Sequence, residues 1–599
     1  MKTTRREILM FAGGSAVGVL FTPAPWRLIT DTALWSESWP GIPKPERGEI
    51  RARYTNCSLC AAGCAVRARC VAGRPVSLAG VPGHPLTRGA LCAFGLAGHH
   101  LPYHPARLKH GPVAQASAAV ADGIAKCRPS EHVVTLDLRP GRTASWTYRR
   151  AMAALKNGRY VTLSHPLGGP LAVDLAAART VLSLGVPVLD GWGTPGNVMA
   201  ARAGFRLIQA EAVESRTASM ADLWLRIRPG SEDALAEGLA GMMTPAEAAA
   251  ITGVPEAQIV AVAGELARNG PVLVLGTSRL ASTGHTIVAR RETPVPAEWR
   301  KAAPVTDLAS LPDGSVRVLI IDESAPGEYL PWNAIAGKLV PDNPVMVALA
   351  SSRDGYGRHA QYVLPVGVYP EVADDIPPAV DSVATTFRIA APLVAAPEGV
   401  VKPEEFVAKA AGLAIGDTLR ERADAIHETG RGSLFTYADA KSVAVKDVGA
   451  GDFWKALNAG GCWIDTPLAA AAQPPAAAQP PAAAQPPAAT QLPAAENPDL
   501  PLVVVLSHEL APLSPLLSKM YRESNLRLGP NRAALHPSCG LEDGAQATLK
   551  TALGKCAVEV VLDAGVPPGV VQLTAWPAVL DLCGPGLQVG PARAKVVRA

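Results

Sequence analysis

A chain of 599 residues is too long for one ordinary domain, and its length suggests about three or four. Apolar residues make up 48% and charged residues 18%, so most of the chain can bury cores. The 56 basic and 52 acidic side chains leave a net charge of only +4, which gives no general basic field and excludes nucleic acid as the expected partner.

In chain order, residues 1–48 read as an export signal and a Pro-rich lead. Arg5 and Arg6 directly precede a mild apolar run from Ile8 to Phe21. An arginine pair in that position looks like a twin-arginine export signal, and the run is shorter than the about 20 residues a spanning helix needs. The expected location is the periplasmic side of the cytoplasmic membrane. Phe21-Thr-Pro-Ala-Pro-Trp26 is a poor cleavage site, which leaves open an attached N-terminal anchor. No other stretch is long and apolar enough to span a bilayer.

Residues 49–110 hold a cysteine cluster among short strand-like pieces. Val66, Ala68 and Cys70 alternate like one face of a strand, and Gly73 turns the chain into Pro75–Leu78, so Cys70 reads as a packed strand thiol. Residues 111–465 alternate helices and strands. Helices are expected at Ala114–Ala125, Ala144–Leu155, Asp233–Met243 and Glu256–Asn269. Strands are expected at His132–Leu136, Arg159–Leu163, Arg179–Leu184, Val272–Gly276 and Val316–Asp322. This alternation predicts an α/β body with parallel sheets. Residues 466–497 carry Ala-Ala-Ala-Gln-Pro-Pro three times from Ala470, with a decayed fourth copy, and read as an extended spacer. Residues 498–599 are strand-rich, at Leu502–Leu506, Ala545–Thr551, Cys556–Leu562 and Val570–Leu573, and predict a small β domain.

Five of the ten cysteines fall between Cys57 and Cys92, a density that points to a metal site rather than to a disulfide scaffold. The candidate ligands are Cys57, Cys60, Cys64 and Cys92, spaced Cys-x2-Cys-x3-Cys-x27-Cys. Three bunched thiolates can wrap one face of a cubane and a distant fourth can close it, as a [4Fe–4S] cluster requires. Zinc also takes four cysteines, but usually as two paired knuckles. Zinc and disulfides remain the alternatives at this point. His99, His100 and His104 follow the quartet and read as solvated or capping side chains. There is no Ser-His-Asp constellation and no P-loop.

Cys57-Ser-Leu-Cys60-Ala-Ala-Gly-Cys64, the hairpin through Gly73, Gly83-His-Pro, Arg88-Gly-Ala-Leu-Cys92 and Tyr103-His-Pro-Ala-Arg-Leu-Lys together resemble the first domain of molybdopterin oxidoreductases, the dimethyl sulfoxide reductase superfamily. Val181-Leu-Ser-Leu-Gly185 through Pro195, Glu214-Ser-Arg-Thr-Ala218, Ile227-Arg-Pro-Gly-Ser231, Tyr362-Val-Leu-Pro365 with Glu371, and Gly540-Leu-Glu-Asp-Gly544 through Val566-Pro-Pro-Gly569 extend the likeness over most of residues 50–400 and 500–599. The resemblance implies a small iron–sulfur domain, a parallel-sheet α/β body and a C-terminal β-barrel. It also implies a crevice for molybdopterin guanine dinucleotide, with Arg216, Asp222, Arg228 and Gly230 as candidate contacts. Read locally, the same stretch is a loop entering a helix, with Ser231 as N-cap and Glu232 and Asp233 in the first turn.

The chain departs from the family pattern in three places. Active members carry Lys or Arg two residues after the fourth cysteine, where this chain has Phe94. Their metal-ligating side chain falls in a stretch that is compressed here to Val161–Pro170, with Ser164 as the nearest candidate. The region after Gly284 is shortened. The resemblance is therefore nearest to the molybdopterin-like large subunits of alternative complex III and menaquinone reductase complexes. It implies a redox subunit beside an iron–sulfur ferredoxin-like subunit, a quinone-binding membrane subunit and multihaem cytochrome c. An active molybdenum or tungsten enzyme and a zinc-binding scaffold are the competing readings.

Overall fold

A computed structural model describes residues 4–6, 8–10, 13–15, 48–162, 171–324, 329–466, 498–507, 531–582 and 592–598. Ser164, most of the apolar run after Arg6 and the Ala/Gln/Pro repeats lie outside the described residues. Among the described residues no helix is long and apolar enough to cross a membrane.

The N-terminal unit is a three-stranded antiparallel sheet of Ile50–Asn56, Ala65–Val71 and Arg74–Gly80. Ala72 and Gly73 both have positive φ, the backbone that a two-residue hairpin needs to match strand twist. Val66, Ala68 and Cys70 are buried while Arg67 and Arg69 face out, as the alternation predicts. The cysteine-bearing loop 57–64 joins the first two strands.

The body contains two all-parallel sheets. The larger runs in the order Val305–Thr306, Gly158–Thr162, His132–Asp137, Val316–Asp322, Val345–Ala350 and Tyr362–Pro365. Its central strands are buried on both faces, which is why they read as unbroken Val/Leu/Ile runs. The smaller sheet runs Val272–Leu275, Thr180–Leu184, Arg206–Glu211 and Leu223–Arg226. A third, antiparallel sheet contains Asp374–Asp375, Thr385–Ala390, Cys462–Asp465, Ser433–Thr436 and Lys441–Ala444. The C-terminal strands close into a six-stranded barrel: Leu502–Ser507, Val570–Thr574, Arg532–Leu535, Gly554–Leu562, Gln546–Thr551 and Arg593–Arg598.

The predicted elements in the body are present, with ends shifted by a few residues. The helix expected at 233–243 stops at Leu239. Ser231 does occupy its N-cap, but the expected capping bond does not form: its backbone is not extended (φ -104°, ψ 16°), and its hydroxyl donates back to the Arg228 carbonyl at 2.6 Å. The strands at 206–211, 223–226 and 345–350 were not anticipated. The first carries Arg206 and Glu211 at its ends and the second ends on Arg226, which broke up the apolar pattern.

Candidate iron–sulfur site

The quartet is assembled from two segments. Cys57, Cys60 and Cys64 lie in the loop between the first two strands. This loop is closed by the Cys57 amide donating to the Cys64 carbonyl at 2.8 Å, with the Gly63 amide donating to the Cys60 carbonyl at 3.3 Å. Cys92 is the N-cap of the short helix Ala93–Ala97. Gly196 lets another helix approach this second segment: a Cβ there would stand 2.1 Å from the Thr87 carbonyl oxygen.

Cys57 and Cys64 are buried, Cys60 and Cys92 are half-buried, and all four are free thiols. Burial pushes the Cys57 thiol well up, and Cys60, Cys64 and Cys92 push it further. Cys60 and Cys64 are raised for the same two reasons. The four thiols thus lie within electrostatic reach of one another in an apolar setting, where a cation would favour the thiolate. Zinc needs four sulfurs at about 2.3 Å from one point, whereas a cubane gives each thiolate its own iron. Four free thiols gathered from two segments in an apolar setting are a donor set that fits a [4Fe–4S] cluster.

The body grips this loop through two buried arginines. Arg139 donates to the carbonyls of Ser58 at 2.6 Å and Cys60 at 3.1 Å. Arg388, 1% exposed in the strand Thr385–Ala390, donates to the carbonyls of Gly63 at 2.5 Å and Ala62 at 3.2 Å. Both cations lower thiol pKa values in the quartet, Arg139 at Cys60 and Arg388 at Cys64. Arg107 and Glu371 form a buried two-pronged ion pair that ties the segment after Cys92 to the body. Phe94 is buried in the apolar cluster around Cys57 and Cys64, with Leu101, Tyr369 and Trp576. His99 and His104 bond locally, to the Leu96 carbonyl and the Ala106 amide, and the rings of His99 and His100 lie 4.0 Å apart.

A second buried polar cluster lies at the carboxyl ends of the two central strands of the large sheet. Strand order reverses between His132–Asp137 and Val316–Asp322, and such a switch point is where doubly wound sheets bind ligands. Here the chain's own charges fill it. Arg142 meets Asp322 at 2.5 Å, Asp374 at 2.8 Å and Asp137 at 3.4 Å. Tyr148 donates to Asp322 at 2.7 Å, and Tyr160 and Ser145 donate to Asp137 at 2.8 and 2.6 Å. Arg422 meets Asp375 at 2.8 Å. Each of these four aspartates faces an arginine.

The candidate nucleotide contacts are only partly gathered. Arg216 starts the four-residue helix after the strand Arg206–Glu211, while Asp222 accepts from the Leu207 amide at 2.7 Å and from Arg202 at 3.0 Å, near that strand's start. Arg228 donates to the carbonyl of Ala250 at 2.6 Å, at the end of the helix Pro245–Thr252, and Gly230 supplies a turn at φ +79°. Arg139, Arg388 and Tyr369 are the site residues that sequence reasoning missed. The signal for Arg388 was a lone charge in the fully buried strand Thr-Thr-Phe-Arg-Ile-Ala.

Residues 50–104 match the Molybdopterin oxidoreductase Fe4S4 domain. The chain is 25% identical over 482 residues to the menaquinone reductase, molybdopterin-binding-like subunit of Nitratidesulfovibrio vulgaris, which covers 66% of this chain and 70% of that protein. It is 25% identical over 232 residues to a sulfite dehydrogenase subunit of Allochromatium vinosum, covering 31% of this chain and 23% of that one. Its fold is similar to that of acetylene hydratase from Pelobacter acetylenicus, with a TM-score of 0.64 at 13% identity, over 91% of this chain and 100% of the other. The chain thus has the iron–sulfur domain and the fold of the molybdopterin oxidoreductases, and it is a relative of their menaquinone reductase and sulfite dehydrogenase subunits.

Proposed function

We propose that the chain is an iron–sulfur electron-transfer subunit of a membrane-associated quinone oxidoreductase complex, without a molybdenum site of its own. The observation that carries this reading is the cysteine quartet, drawn from two segments into one apolar pocket and braced by Arg139 and Arg388. When bound by Cys57, Cys60, Cys64 and Cys92, a [4Fe–4S] cluster supplies one-electron transfer. The protein's part is to bury that group, hold its loop rigid and place two cations beside it.

Two observations support the absence of molybdenum chemistry. Phe94 is an apolar core residue where active relatives carry a cation. The switch point of the large sheet is filled by ion pairs between the chain's own side chains. The similarity to the menaquinone reductase subunit supports quinone chemistry and an assembly with other redox subunits. The partners we propose are a ferredoxin-like iron–sulfur subunit, a quinone-binding membrane subunit and multihaem cytochrome c. Arg5 and Arg6 support export to the periplasmic side, so Lys at both positions should retain the chain in the cytoplasm.

Metal analysis of the purified protein tests the central reading. The expected result is about four iron and four sulfide per chain with neither molybdenum nor tungsten. Stoichiometric molybdenum with pterin would restore the active-enzyme reading. A colourless protein containing zinc would replace both with a scaffold.

A further inference from the structure

Tyr369 forms part of the wall of the cysteine pocket on the side of the body. It lies four residues beyond the edge strand Tyr362–Pro365 of the large sheet, and it is 5% exposed. Its ring packs in the same apolar cluster as Cys57, Cys64, Phe94 and Leu101. The ring also lies over Gly98, where a Cβ would stand 2.4 Å from its Cε1. The phenol oxygen is buried and has no hydrogen-bond partner among the described residues. Leaving a hydroxyl in that state costs about 1–3 kcal/mol, so an orphaned buried hydroxyl calls for an explanation.

Three of the four quartet thiols, Cys57, Cys64 and Cys92, lie in electrostatic reach of that oxygen. A phenol ordinarily titrates near about 10, so the Tyr369 hydroxyl carries its proton at neutral pH and can donate it. It is therefore a donor packed against the quartet, whose sulfurs can accept. Sulfur in a thiolate or a bridging sulfide accepts hydrogen bonds, and such bonds are among the levers that set the potential of an iron–sulfur centre.

We infer that the Tyr369 hydroxyl donates a hydrogen bond to a sulfur of the cluster held by Cys57, Cys60, Cys64 and Cys92, and thereby raises its reduction potential. The inference rests on the iron–sulfur reading above. The reduced centre carries one more negative charge than the oxidised one, so a fixed donor stabilises the reduced form more. Arg139 and Arg388 act in the same direction through the loop carbonyls, but they do not reach the sulfurs as hydrogen-bond donors within that loop; their bonds there go to the Ser58, Cys60, Ala62 and Gly63 oxygens. Tyr369 then supplies a direct donor in a pocket where Phe94 has none to offer, beside the Nε atoms of Arg139 and Arg388, which are likewise buried without a partner among the described residues.

The test is Tyr369→Phe in the full chain, which deletes one oxygen and keeps the ring over Gly98. Wild type and variant are purified without oxygen, assayed for iron and sulfide, and titrated while the reduced signal is followed by electron paramagnetic resonance. Equal iron contents are expected, together with a reduced-to-oxidised ratio about tenfold lower in the variant at a fixed potential, a downward shift of about 59 mV for a one-electron couple. Pulsed measurements in H2O and D2O should also show an exchangeable proton coupled to the centre in wild type and missing in the variant. Because the hydroxyl has no protein partner, the apo-variant should melt no lower than apo wild type. Equal potentials and equal proton couplings in two iron-loaded proteins would overturn the inference while leaving the iron–sulfur reading intact. Wild type without iron and sulfide would overturn that reading itself.

Discussion

The cysteine pocket, where the N-terminal unit meets the body, and the switch point of the large sheet are both buried and polar, and they differ in how far their groups pair with one another. In the cysteine pocket four thiols crowd together in an apolar cluster beside an unpaired phenol. At the switch point of the large sheet, Asp137, Asp322, Asp374 and Asp375 are each matched by Arg142 or Arg422. Arg139 stands between the two: its guanidinium serves the cysteine loop, while its amide donates to Asp137. Buried polarity alone therefore does not mark a ligand site. The sign of one is a set of groups with no ion-pair partners among themselves, as in the cysteine pocket, whereas at the switch point each aspartate already has a cation against it.

The largest expected effect breaks the incomplete site. Cys64→Ser should drop iron and sulfide from about four per chain to nearly none and bleach the visible absorbance. Retention of a full complement would remove Cys64 from the ligand set. Next comes the paired site. Arg142→Ala removes the cation from the buried carboxylates of Asp137 and Asp322 and from half-buried Asp374, and should cost about 3–5 kcal/mol in denaturant unfolding of the apo-chain. If the switch point were instead an open ligand site, the same substitution would be nearly silent in the apo-protein.

The quartet was legible because its three bunched ligands and its turn are local. Cys57, Cys60 and Cys64 span eight residues, and the Gly73 hairpin brings the strands beside them. The parallel sheets were legible because doubly buried strands leave unbroken apolar runs such as Val316–Asp322. What surrounds the quartet was not legible, for a geometric reason. Arg139 bonds a loop 81 residues away, and Arg388 one 325 residues away. No local periodicity encodes such pairings. The sequence offers only the anomaly of a charge inside an apolar strand, which says that a partner exists and not which one. Asp137 and Asp322 were anomalies of the same kind, each ending an apolar run. The pairing of the parallel strands, which aligns Asp322 with Asp137, is a tertiary fact.

A smaller effect sharpens the comparison at the cysteine loop. Arg388→Ala removes two carbonyl bonds from a charged donor without touching a ligand. It should cost about 2–3 kcal/mol and speed iron loss to a chelator, with the iron content of fresh protein unchanged. An unchanged rate of iron loss would mean that the loop holds its shape without the body.

The smallest effect probes how complete the pairing at the switch point is. Glu404, half-buried at the start of the helix Pro403–Ala410, forms no ion pair among the described residues, and its pKa is pushed up to about 7 by burial, with Asp374 and Asp322 adding to the rise and Lys402 opposing it. In the unfolded chain a glutamate titrates near about 4.3. Between those values the folded protein holds the extra proton, so the stability that this group contributes is complete below about pH 4.3 and is lost as pH rises through about 7. Glu404→Gln keeps the shape and cannot ionise. The variant should therefore gain on wild type progressively across that window and hold a constant advantage above it. The gain should be about 1 kcal/mol, since a half-exposed carboxylate is partly screened by solvent. Denaturant unfolding at pH 5, 6, 7 and 8 measures the difference. If the difference does not change with pH, Glu404 is ionised against the aspartates without penalty, and the switch point has room for one more negative charge than its arginines match.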